Sequence, residues 1–144
     1  MPTSRLKIAA LCLLNSAGEL LVVRKRNTQL FMLPGGKLEP HESTLEALQR
    51  ELKEELNLEL ETDKCLSLGR FTAPAANEPD TIIEAELFLA HDDQPTLAVA
   101  AELEAMAWLT LTPPYALPLA PLLIEQVLPL LDARMEFRST SRVD

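Results

Sequence analysis

Gly36-Lys37-Leu38-Glu39-Pro40-His41-Glu42-Ser43-Thr44-Leu45-Glu46-Ala47-Leu48-Gln49-Arg50-Glu51-Leu52-Lys53-Glu54-Glu55-Leu56-Asn57-Leu58 is the stretch that decides how this chain is read. Residues 43–56 contain no Gly or Pro and are rich in Leu, Glu, Ala and Lys, so a helix is expected there. On a wheel of about 100° per residue, Leu45, Leu48, Leu52 and Leu56 fall within roughly 80° and form a core face. Glu46, Gln49 and Lys53 lie on a solvated side. Arg50, Glu51, Glu54 and Glu55 fill a third arc of roughly 140°, which the core stripe does not explain. Carboxylates on neighbouring turns repel one another by roughly a few tenths of a kcal/mol per pair. A divalent cation would remove that conflict, and hard oxygen ligands suit Mg2+ or Mn2+.

The flanks serve the same purpose. Gly35 and Gly36 let the backbone approach a ligand closely. Lys37 adds a cation, and Arg50 can bind a phosphate or hold a glutamate. Further out, residues 5–14 and 19–26 read as paired strands, the second ending in Arg24-Lys25-Arg26. Residues 27–31 read as a loop and 32–38 as a short extended piece around Gly-Gly. Beyond the helix, strands are expected at 64–73, 81–90 and 105–109. The 74–80 segment reads as a loop and 91–96 as a turn, while 97–104 fits no single element. A second helix is expected over 117–131, with Pro129 ending or kinking it. Strands, helix, strands, helix imply a mixed sheet with helices packed on it, in one domain over residues 1–132. Residues 133–144 read as a frayed polar tail.

Composition narrows the function. The 144 residues carry a formal net charge of -9. Such a surface repels nucleic-acid duplexes and anionic membranes, but a small phosphorylated partner remains open if cations neutralise the site. No apolar run approaches the roughly 20 residues of a membrane helix. Residues 8–14 are too short and too soon followed by a turn to suit a signal peptide, so a cytoplasmic protein is expected. Cys12 and Cys65 each sit in an apolar run and read as free thiols.

An acidic helix face alone describes many solvated helices; the spacing is what makes this one specific. Gly36, five residues, Glu42, seven residues, then Arg50-Glu51-Leu52-Lys53-Glu54-Glu55-Leu56-Asn57-Leu58 resembles the Nudix hydrolase signature G-x5-E-x7-R-E-U-x-E-E-x-G-U, with U apolar. Asn57 alone departs, standing where the family usually has Gly. That position follows the helix, where a left-handed residue often caps the end, and Asn tolerates that conformation. Leu33-Pro34 before the glycines, the basic end of the second strand, and Trp108 in a late strand extend the resemblance across residues 5–131.

The resemblance implies an α/β/α sandwich with a mixed sheet, and a pyrophosphohydrolase using Mg2+ or Mn2+. It implies that water attacks phosphorus in a nucleoside diphosphate derivative, either a nucleoside triphosphate or a nucleotide sugar such as ADP-ribose. Glu51, Glu54 and Glu55 become the metal-binding and base-supplying glutamates, with Glu51 and Glu54 both candidates for the base. Gly36 would offer its carbonyl to the metal. Glu42 and Arg50 become supports for the glutamates. A further acid often comes from outside the box; Glu102 is preferred over Glu104. Arg24, Arg26 and Lys37 are candidates for the substrate phosphate, Arg24 and Arg26 sharing one strand face by alternation. Phe31, Phe71 and Trp108 read as core residues rather than base-stacking ones. The family often dimerises, so a homodimer is a further expectation. The alternative is a non-catalytic sensor of the same fold, but such modules commonly lose box glutamates, and this chain retains all of them.

Overall fold

The computed structural model describes residues 4–92 and 97–141. Six strands, β1 (Ser4–Leu14), β2 (Leu20–Lys25), β3 (Gly35–Lys37), β4 (Leu66–Pro74), β5 (Thr81–His91) and β6 (Leu103–Leu109), form one mixed sheet. Its order is β4-β5-β1-β2-β6, with β3 also paired to β1. β1 and β5 run parallel, and the other pairs are antiparallel. β1 pairs with β2 only at Leu14 and Leu20, the hairpin end. Further along, Ile8, Ala9 and Ala10 pair with Lys37, Gly36 and Gly35 instead. Strands β1 and β2 therefore part company, and the Gly-Gly segment fills in beside β1.

Two cores flank the sheet, and strand alternation sorts residues between them. Ala10, Cys12, Leu14, Leu20 and Val22 face one side, with Leu123, Val127 and Leu131 of the C-terminal helical segment. Ala9, Leu11, Leu13, Leu21 and Val23 face the other, against Leu48, Leu52 and Leu56. Burial on both faces is why the first strands read as continuous apolar runs. The architecture is the expected α/β/α sandwich with a mixed sheet.

Helix α1 (Thr44–Leu56) seats its leucines as the wheel requires: Leu48, Leu52 and Leu56 are fully buried. Truncating any of them to Ala would cost about 2–5 kcal/mol. Ser43 caps its start in a reciprocal box with Glu46. Asn57 ends it at φ 54°, ψ 32°, donating its N–H to the Leu52 and Lys53 carbonyls. This is the left-handed cap expected of it.

The C-terminal helix departs from expectation. A π turn at Leu123–Val127 leads straight into α2 (Leu128–Ser141). Pro129 therefore neither ends the helix nor forms its boundary. Proline lacks an N–H and crowds the carbonyl four residues back, here that of Glu125. The widened turn just before it, with Leu128 N–H bonded to the Leu123 carbonyl, is where the chain absorbs the misfit. The polar end from Ala133 is helical as far as Ser141, and residues 142–144 lie outside the described set. The expected turn at 91–96 falls largely on residues 93–96, also outside it. No described helix is long and apolar enough to cross a membrane.

Candidate active site

The site grows from contact between β3 and α1. Gly35 stands at φ 144°, and a Cβ there would lie 2.1 Å from the Ala9 carbonyl oxygen of β1. Only glycine lets β3 lie this close. Gly36 comes next, and its Cβ would lie 2.5 Å from the Glu51 carboxyl carbon. The bare backbone at Gly36 is thus the surface on which the Glu51 side chain rests.

Arg50 organises the acids. Its Nε donates to Glu42 Oε2 at 2.7 Å, and Nη2 to Glu42 Oε1 at 3.0 Å. Nη1 donates to Glu51 Oε1 at 2.8 Å. Nη2 also reaches the Lys37 carbonyl at 3.1 Å, so one guanidinium ties α1 to β3 and to the loop between them. Glu39 and Glu54 lie further off, each 3.7 Å from Nη1. The Arg50 hydrogen bond, reinforced by the Glu39 N–H, holds the Glu42 carboxyl down at about 2. In return, the Arg50 guanidinium is held more firmly protonated, chiefly by Glu42.

Glu55 is buried, which is unusual for a glutamate on an amphipathic helix. Burial first, then a hydrogen bond with Glu51 and that residue's charge, push its carboxyl well above the usual range. Lys25 opposes the shift and Glu102 adds to it. The irregular 97–100 segment explains this proximity. The Ala98 and Ala100 N–H groups bond the Leu56 and Glu55 carbonyls at the end of α1. That docking carries the following residues, Glu102 among them, to the helix.

These groups open into a cleft of about 690 Å³. Gly36, Glu51, Glu54, Glu55 and Glu102 line one part of it, together with Lys25, Arg26 and Lys37. Leu6, Ile8, Ala10, Leu33, Ile83 and Leu123 supply apolar wall. The volume suits a ligand of nucleotide size. The 75–80 loop contributes Asn77 and Glu78, the latter 3.3 Å from Lys37 Nζ; Pro74, expected to open this loop, ends β4 instead.

One expectation changes here. Arg24 and Arg26 do not share a face, because a bulge at Arg24/Lys25 breaks the alternation. Arg24 turns to Glu104 at 2.7 Å and to the Thr28 carbonyl at 2.8 Å, over the Phe31 ring. Arg26 lines the cleft, and so does Lys25, which sequence reasoning passed over although it stands in the same basic run. Glu102 lies on the cleft, 3.7 Å from Lys25, while Glu104 is occupied by Arg24. Phe31 is buried in one core, and Phe71 and Trp108 pack against the cores, as expected.

The donor set suits a hard divalent cation: carboxylates and a carbonyl at a glycine whose missing Cβ leaves the Glu51 carboxyl room. Among the described residues, however, no three His, Cys, Asp or Glu side chains already converge on one point. Glu51 Oε1 is engaged by Arg50.

The NUDIX domain model matches residues 3–130. The chain belongs to the Nudix family and is a Nudix pyrophosphohydrolase. It is 35% identical over 116 residues to the CTP pyrophosphohydrolase of Escherichia coli (strain K12), covering 80% of this chain and 78% of that protein. The solution structure of the E. coli ORF135 protein is 27% identical with a TM-score of 0.63, covering 99% of this chain and 96% of that one. The crystal structure of the MutT protein from Methanosarcina mazei Go1 shares the fold at a TM-score of 0.74 and 19% identity, covering 93% and 97%.

Proposed function

We propose that this chain hydrolyses a diphosphate bond in a nucleoside diphosphate derivative, with Mg2+ or Mn2+ held by Glu51, Glu54, Glu55, Glu102 and the Gly36 carbonyl. One observation carries the reading: a single cleft brings these acids together with Lys25, Arg26 and Lys37. Bound there, the cation would make water more acidic and offset charge on the phosphoryl oxygens.

The chain's own groups supply the rest. Arg50 fixes Glu51 against Gly36 and so sets the floor of the site. Glu54 is the more exposed of the two base candidates and stands further from Arg50, at 3.7 Å against 2.8 Å for Glu51. We therefore assign it the proton of the attacking water. The water oxygen bonds to one phosphorus, and the bridging oxygen leaves with the other phosphate. Lys37 and Arg26 steady the phosphates, and the apolar wall holds the organic group. Arg24, paired with Glu104 and the Thr28 carbonyl and absent from the cleft lining, has no part in this role.

A nucleoside triphosphate is the first substrate to test, and the relative's name makes CTP a sensible member of the panel. The panel also includes the other nucleoside triphosphates, oxidised forms, ADP-ribose and dinucleoside polyphosphates, each with Mg2+ and with Mn2+. The expected products from CTP are CMP and pyrophosphate. Tight binding without turnover of any member would replace this reading with that of a sensor module.

A further inference from the structure

Lys37 and Glu78 meet across the cleft, Nζ to Oε1 at 3.3 Å. Each is presented by fixed backbone. On one side, the Leu38 N–H bonds the Lys7 carbonyl at 3.2 Å, and the Lys37 carbonyl accepts from Arg50. On the other, the 75–80 loop is pinned at both ends. The Ala75 N–H bonds the Thr81 carbonyl at 2.9 Å, and the Ser4 N–H bonds the Asp80 carbonyl at 3.0 Å. Both side chains line the cleft, yet they stay 59% and 47% exposed, so the pair breaks and re-forms at little cost. A carboxylate thus occupies the cation proposed to hold a substrate phosphate.

We infer that Glu78 is an internal competitor for the anion seat at Lys37: an incoming phosphate must displace the Glu78 carboxylate. Glu78 then sets the affinity for substrate and leaves the bond-breaking rate alone. This rests on the reading of Lys37 as a phosphate-binding residue. It also gives the 75–80 loop a role that its Asn-Glu-Pro sequence does not advertise. Asp80, two residues on, lies outside the cleft lining, and its φ of 53° is one that Asn tolerates. It supplies a charge control in the same loop.

The test is titration calorimetry with inorganic pyrophosphate in excess Mg2+, which needs no turnover. Glu78→Gln should tighten Kd about two- to fivefold, the range of an exposed ion pair. In a Lys37→Met background the same change should do nothing, and Asp80→Asn should leave Kd where it was. Steady-state kinetics with a turned-over nucleotide should show KM falling and kcat unchanged. If Lys37→Met weakens binding but Glu78→Gln has no effect, the inference fails and the reading of Lys37 stands. If Glu78→Gln tightens binding equally without Lys37, or Asp80→Asn matches it, general charge is responsible and the inference fails. If Lys37→Met leaves Kd unchanged, or the protein does not bind pyrophosphate, Lys37 is no anion seat and both readings fall.

Discussion

Arg50 and Glu42 form a two-point ion pair, Nε to Oε2 at 2.7 Å and Nη2 to Oε1 at 3.0 Å, that ties the loop before α1 to the middle of the helix. The same guanidinium holds Glu51 and the Lys37 carbonyl. A lysine offers three donors at one point and cannot span these acceptors. Arg50→Lys should keep the charge and lose the geometry. We expect kcat to fall roughly tenfold to a hundredfold, as for groups that orient metal ligands, with the fold retained by circular dichroism. An unchanged kcat would mean that Arg50 does not position Glu51.

The same pair should appear in acid stability. The Glu42 carboxyl is held at about 2, below its ordinary 4.5. A depressed carboxyl stabilises the fold above its unfolded pKa, and that contribution is lost as pH falls through the folded one. The difference in urea midpoint between the wild type and Glu42→Gln should be constant above about pH 4.5 and shrink between there and about pH 2. A difference that does not depend on pH over that window would contradict the assignment.

Adjacent glycines should fail in different ways. Gly35→Ala drives a methyl into the Ala9 carbonyl on a strand backbone that cannot yield. It should destabilise the protein by about 1–3 kcal/mol in urea melts. Gly36→Ala meets a side chain instead, the Glu51 carboxyl, which can move. It should keep most of the stability and lose activity, on the order of tenfold or more. Reversal of these two outcomes would show that Gly36 has no special relation to Glu51.

The thiols should separate by burial. Cys12 is fully buried, and burial pushes its thiol up to about 12. Cys65 is only partly buried, and a smaller rise comes first from burial and then from Asp63. A disulfide-exchange reagent at pH 8 should label Cys65 in the native protein and reach Cys12 only on unfolding. Peptide mapping checks this. Equal native labelling of both thiols would contradict the packing of β1.

Much of this was readable from residues alone, for local reasons. The leucine stripe fixed which face of α1 is buried. The run from 43 to 56 without Gly or Pro marks its extent, and Asn57 its left-handed end. The box spacing brought Gly36, Glu42, Arg50 and the glutamates into one small region. What escaped depends on distant pairing. The bulge at Arg24/Lys25 arises where β2 meets β6, so alternation wrongly joined Arg24 to Arg26 and missed Lys25. The 97–100 segment carries no periodic signal, because its N–H groups serve the end of α1 rather than an element of their own. The second helix was expected to stop at 131, but a π turn at Leu123–Val127 precedes Pro129 and the helix runs on through the polar residues to Ser141.

The most direct test of the central claim is the initial rate of nucleoside triphosphate hydrolysis by Glu54→Gln at saturating Mg2+, against the wild type. Gln keeps the size and removes the base. The account predicts a fall in kcat of roughly a hundredfold or more, with the fold intact. A Glu54→Gln enzyme that hydrolyses at the wild-type rate would contradict the site proposed here.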